Sequence, residues 1–247
     1  MSINTSSQQG MYSWTVEGQQ QLAQQWFWYR IGSSGGESSI DTISAPVNNL
    51  LSGNILQSTY ANSTLSASIL YSLVGGSPTS GASDLSETIS IQNLSGASLS
   101  FHFFQYADFN LGNTPNNDSA QLTDLGRNYG GVIQYNGRGC QVSENVDTVV
   151  SHPANHAQVG NGSTILNSLN NNTPTTFNDN TATTGNINWG LEWDVNIAAG
   201  GTLIISKDLN MQGVTPGSVP EPSTWAFVLL GVLSFGCCRY RLIRQTS

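Results

Sequence analysis

Residues 64–74 read TLSASILYSLV. Leu65, Ala67, Ile69, Tyr71 and Leu73 share one parity, Ser66, Ser68 and Ser72 take the other, and Leu70 is the one interruption. Successive side chains of a β-strand point to opposite faces, so this alternation predicts a strand with one side on a core and the other in water. Wet-faced strands of this kind belong to antiparallel sheets.

The same reading extends in both directions. Downstream, 88–93 and 99–109 flank Leu94-Ser95-Gly96-Ala97, whose spacing and turn chemistry predict a hairpin. Within 99–109, Leu99, Phe101 and Phe103 face one way and His102, Phe104 and Tyr106 the other. Further strands are predicted at 131–135 and 141–150, joined by the turn Asn136-Gly137-Arg138-Gly139. Leu191, Trp193, Val195 and Ile197 alternate with Glu192, Asp194 and Asn196, and Leu203 to Ile205 supply a closing strand. Upstream, 12–16 reads as a short strand closed by Glu17-Gly18, and 19–25 as polar and helix-tolerant. Trp26-Phe27-Trp28-Tyr29-Arg30-Ile31 then puts aromatics on both faces, as in a strand buried between two layers. Residues 40–52, with Pro46, give no firm element, and the Asn/Thr-rich stretch 160–185 has no period and reads as a surface excursion. About ten short strands without alternating helices predict an all-β, antiparallel β-sandwich over residues 1–212.

Charged residues make up 9% of the 247-residue chain, whose net charge is −8. Only Arg30, Arg127, Arg138 and Lys207 are basic before residue 219, which excludes a nucleic-acid footprint and leaves neutral sugars and divalent cations as fitting partners. Cys140 is the one cysteine before the C-terminal run, so no disulfide forms within the sandwich.

No GxSxG, HExxH, P-loop or dinucleotide fingerprint appears, and the chain is expected to be a non-enzyme without a cofactor. Glu192 and Asp194, at i and i+2, have a spacing that any solvated strand provides. Oxygen ligands between Asp108 and Asp124 suit Ca²⁺ in type but fit no EF-hand spacing. His152 and His156, with Glu144 and Asp147, outline a zinc site, yet Pro153 stands where a zincin carries its glutamate. No metal is assigned to either stretch.

The last thirty residues have a different character. Val219-Pro220-Glu221-Pro222 is stiff and extended, because each proline fixes its own φ and biases its predecessor away from helix. A linker, 213–218, precedes it. From 225 to 238 only Ser234 is polar, and Trp225, Phe227, Leu229, Leu230, Val232, Leu233 and Phe235 make a membrane anchor. At the helical rise it covers roughly 21 Å of a bilayer core of about 30 Å, a short transmembrane helix. Arg239, Arg241 and Arg244 follow, a basic cluster that the positive-inside rule places in the cytoplasm, with the sandwich outside. MSINTSSQQG has neither the basic nor the apolar region of a signal peptide, so this orientation predicts an export signal upstream of the given start.

A proline-bracketed glutamate, a short apolar helix and a terminal arginine cluster resemble the PEP-CTERM sorting signal of Gram-negative bacteria, here over 219–244. The resemblance implies an exosortase-type membrane enzyme that recognises Pro220-Glu221-Pro222 and processes the protein. It also implies passage through the inner membrane and delivery to the cell surface or extracellular matrix. The expected function is that of an exported surface or matrix protein with a structural or adhesive sandwich. The alternative is a carbohydrate-binding module that holds matrix polysaccharide through exposed tryptophans, two or more of Trp14, Trp26, Trp28, Trp189 and Trp193 lining a groove.

Overall fold

A computed structural model describes residues 1–126, 128–147 and 151–215. The sorting motif Val219 to Pro222, the apolar run from Trp225, the arginine cluster and the second half of the 213–218 linker lie outside the described residues. Among the described residues no helix is long and apolar enough to cross a membrane.

Two antiparallel sheets pack face to face. The larger has the order Ala182–Gly185, Asp118–Asp124, Tyr129–Asn136, Gln141–Val146, Thr202–Gln212, Ser83–Asn93, Leu65–Gly75, Ile55–Ala61, Val47–Ser52. The smaller runs Ser2–Asn4, Gly10–Ser13, Leu22–Ile31, Leu99–Phe109, Ile187–Ile197, His156–Asn161, with Ser38–Ser39 also paired to Leu22–Ile31. Leu65–Gly75 has the expected wet and dry faces, and its register with its neighbours explains how the dry one is filled. Leu73, Leu85 and Leu209 form one row across three strands, Ile69, Ile89 and Ile205 another. Each buried aliphatic side chain contributes roughly 1.5–3 kcal/mol.

Between those rows lies Tyr71, Glu87, Lys207, an unexpected polar insertion into the inter-sheet core. Lys207 Nζ meets Glu87 Oε2 and lies 3.1 Å from Glu144 Oε1, with all three side chains fully buried. Gln25 from the smaller sheet donates to Glu87 at 2.7 Å, and Gln105 and Trp189 donate to Glu144 at 2.7 and 2.9 Å. Burial pushes the Glu87 carboxyl up against the pull of Lys207. Burial opposes the charge on Lys207 too, yet Glu144 and Glu87 together hold it above the usual lysine range.

Several expectations change. Residues 94–98 do not close a hairpin: Ser83–Asn93 belongs to the larger sheet and Leu99–Phe109 to the smaller, so the segment crosses between layers. Asn93 holds that crossover, its Nδ2 donating to the carbonyls of Ala97, Ile197 and Ala198 at 2.7, 2.9 and 3.0 Å. Polar residues 19–25 are strand rather than helix, because Glu17 and Gly18, both at positive φ, make a two-residue turn pairing Val16 with Gln19. Residues 40–52 contain an edge strand, Val47–Ser52, exposed along its whole length and therefore without alternation. The chain also stays packed beyond residue 212, since Val214 is buried and its N–H donates to the Gly81 carbonyl at 3.1 Å.

Candidate functional site

The outward side of the smaller sheet carries a mixed set of polar and aromatic groups. Register lines up Arg30, His102 and Asp194 in one row, Trp28, Phe104, Glu192 and His156 in the next, and Trp26, Tyr106 and Gly190 in a third. Such a face needs either water or a cover, and residues 163–180 cover it. The short helix Thr164–Leu169 buries Ile165 and Leu169. Phe177 then meets Phe104 edge-on at 5.7 Å and lies so close to Gly190 that a Cβ there would sit 2.5 Å from its ring. The Asn/Thr-rich stretch is thus a roof rather than a free excursion; its three anchoring apolar residues are spaced too irregularly to show a period.

The roof is tied down by charge. Arg30 Nε donates to Glu37 Oε1 at 3.1 Å, and the same oxygen accepts the Thr175 N–H at 2.8 Å. Glu192 Oε2 accepts the Phe177 N–H at 2.7 Å, while Glu192 Oε1 is buried and has no hydrogen-bond partner among the described residues. Burial pushes the Glu192 carboxyl up to about 8, against the Phe177 amide, which lowers it. His102 Nδ1 meets Asp194 Oδ1 at the margin of the roof, where their side chains keep 18% and 32% of their exposure. The carboxyl spacing that looked uninformative in the sequence therefore hides two unlike environments, one sealed and one wet.

The other sequence candidates disperse. Trp14, Trp26, Trp28, Trp189 and Trp193 are all within 1% of complete burial, so a glycan platform of exposed tryptophans is ruled out for these five. Their indole N–H groups are used internally, on Ser83, Ser39, Asn170, Glu144 and the His152 carbonyl in that order. His156 turns to Asp179 at 3.0 Å, and Glu144 lies between the sheets, so the His152/His156 zinc outline does not assemble. Within 108–124, Asp118 is buried and accepts from Leu111 N–H and Gln134 Nε2, while Asp124 caps Gly126. Asp108 is held up at about 6 by burial. Among the described residues, metal-type ligands converge instead at His102, Glu192 and Asp194, whose donor atoms lie within 4.8 Å of one another.

One open feature borders the roof: a cleft of about 370 Å³ lined by Gln8, Gln9, Tyr12, Gln24, Leu166 and Asn170. Its amides and the 40% exposed Tyr12 offer neutral donors, acceptors and one ring face. Sequence reasoning missed it because three separate segments supply the lining.

No protein-family model matches the chain, and neither does any curated protein. Solved structures are similar to it. A bacterial glucoamylase complexed with acarbose gives a TM-score of 0.54 at 9% identity, over 81% of this chain and 28% of that one. A protein of Escherichia coli K12 assigned as an aldose 1-epimerase gives 0.45 at 12% identity over 70% of each chain. A chain from the human microbiome assigned as a kojibiose phosphorylase gives 0.43 at 10%, over 85% of this chain and 24% of that one. The protein spans little more than a quarter of the glucoamylase, and a likeness at 9% identity carries the two-sheet fold without the site.

Proposed function

We propose that this is an exported protein of the cell surface or extracellular matrix, inserted in the inner membrane through 225–238 and processed by an exosortase-type enzyme at Pro220-Glu221-Pro222. The sandwich is the cargo, structural or adhesive rather than catalytic. The observation that carries the reading is the order of parts in 219–244, a rigid carboxylate, a short apolar run and three arginines. Expression of Glu221→Ala in a host with the sorting enzyme tests it. The variant retains membrane insertion, since the apolar run is untouched, and fails to reach the surface. Release at the wild-type rate, by intact mass of membrane and extracellular fractions, refutes processing at this motif.

A second reading rests on the amide-lined cleft. It has the neutral chemistry of a sugar subsite, and the fold is shared with a glucoamylase solved with acarbose, which makes oligosaccharide the first ligand class to test. On this reading the protein holds matrix glycan through Gln24, Asn170 and Tyr12. Retention on host polysaccharide that is lost in Tyr12→Ala supports it; equal retention of both proteins, or of neither, refutes it.

A further inference from the structure

We propose that His102, Glu192 and Asp194 bind one divalent transition ion, of which Zn²⁺ is the first to test. The residues come from two neighbouring strands. His102 and Asp194 are direct cross-strand partners, and Glu192 precedes Asp194 by two positions on the same face. One imidazole nitrogen and two carboxylate oxygens within 4.8 Å make the donor set of an open zinc site with three protein ligands. Tetrahedral coordination at the usual bond lengths puts donors about 3.3 Å apart, so a pair at the 4.8 Å limit closes by about 1.5 Å on binding.

The independent sign of a ligand is Glu192 itself. The residue is fully buried, Oε2 is engaged by the Phe177 amide, and Oε1 has no hydrogen-bond partner among the described residues. A buried carboxylate oxygen left unpaired is costly, and coordination relieves that cost. The local charge agrees. Arg30 is balanced by Glu37 and His156 faces Asp179, so the contact of Asp194 with His102 stands apart from the neighbouring ion pairs. One ligand carboxylate has a supporting contact, the Phe177 N–H on Glu192 Oε2 at 2.7 Å, and the Asp194 backbone N–H is tied to Asn155 Oδ1 at 2.7 Å. The partial exposure of His102 and Asp194 provides an entry path and room for a water as fourth ligand. Bound there, the ion fastens two strands of the smaller sheet to the roof through Glu192 and Phe177.

The test is zinc titration of the full-length chain in detergent, stripped with EDTA, by calorimetry and thermal denaturation. Cys237 and Cys238 are replaced by serine so that thiols do not compete. The expected result is one ion per chain and a Tm raised by about 5–10 °C at a hundredfold excess over Kd. His102→Gln, Glu192→Gln and Asp194→Asn each weaken binding by at least about tenfold, whereas His152→Gln and His156→Gln bind as the parent does. If Glu192→Gln does not fold, the part-exposed Asp194 and His102 variants still decide. Absence of stoichiometric binding to the parent up to about 1 mM zinc overturns the site, and so does undiminished binding in Asp194→Asn and His102→Gln.

Discussion

Replacing Lys207 with methionine keeps the unbranched stem to Cε and removes the one cation from a sealed compartment. Glu87 and Glu144 remain, both fully buried, with Gln25, Gln105 and Trp189 still donating to them. The two carboxyls then share an apolar space with no counter-charge, and the folded protein must hold a proton that the unfolded chain releases. For a carboxyl that ionises at 4.5 in water, holding that proton at pH 7 costs about 3 kcal/mol, at roughly 1.4 kcal/mol per pH unit. Two charge-assisted hydrogen bonds are also lost, and the burial of methionine returns part of the sum. Lys207→Met is therefore expected to lose about 3–5 kcal/mol at pH 7, the range for a buried pair broken on one side.

The sign of the pH dependence follows from the same proton. Glu87, whose folded carboxyl is raised, contributes stability that is complete below the unfolded value and is lost as pH rises through the folded one. Removing Lys207 strengthens that effect, so the deficit of the variant shrinks towards pH 4.5 and grows above it. Urea denaturation of parent and variant at pH 4.5 and 7.5 reads this directly. The double variant Lys207→Met, Glu87→Gln removes one carboxylate together with the cation and is expected to regain most of the loss. A deficit below about 1 kcal/mol at pH 7.5, or one equal at both pH values, refutes the buried-charge argument.

Two other substitutions probe the crossover and the roof. Asn93→Ala deletes three donations to carbonyls and two acceptances from Ser95, at a buried position, and is expected to cost about 3 kcal/mol in chemical denaturation. Asn93→Asp does not rescue it, because a carboxylate cannot donate to those carbonyls. Gly190→Ala drives a methyl group into the Phe177 ring and is expected to cost about 1–3 kcal/mol while exposing 163–180 to limited proteolysis; a wild-type digestion pattern speaks against the roof.

Leu65–Gly75 shows how far local pattern reaches, since alternation alone gave its type, its wetter face and its buried residues from Leu65 to Tyr71, with Leu73 half-buried. The strands around Trp26, Phe103 and Trp193 were equally readable, because dense aromatic runs have few places to go but a core. Val47–Ser52 shows the limit: an edge strand buried on neither side leaves no period to detect.

The chain by itself determined that the protein is built mostly of antiparallel strands, because composition and alternation are properties of neighbours in sequence. Only the tertiary structure decided that 94–98 crosses between sheets, that 163–180 is a roof, and that Lys207 lies in the core. It also brought His102 beside Glu192 and Asp194. Those outcomes depend on which strands pair and on which face a distant segment covers, and a period of two is the same for a strand facing water and for one whose polar side is sealed by residues far along the chain.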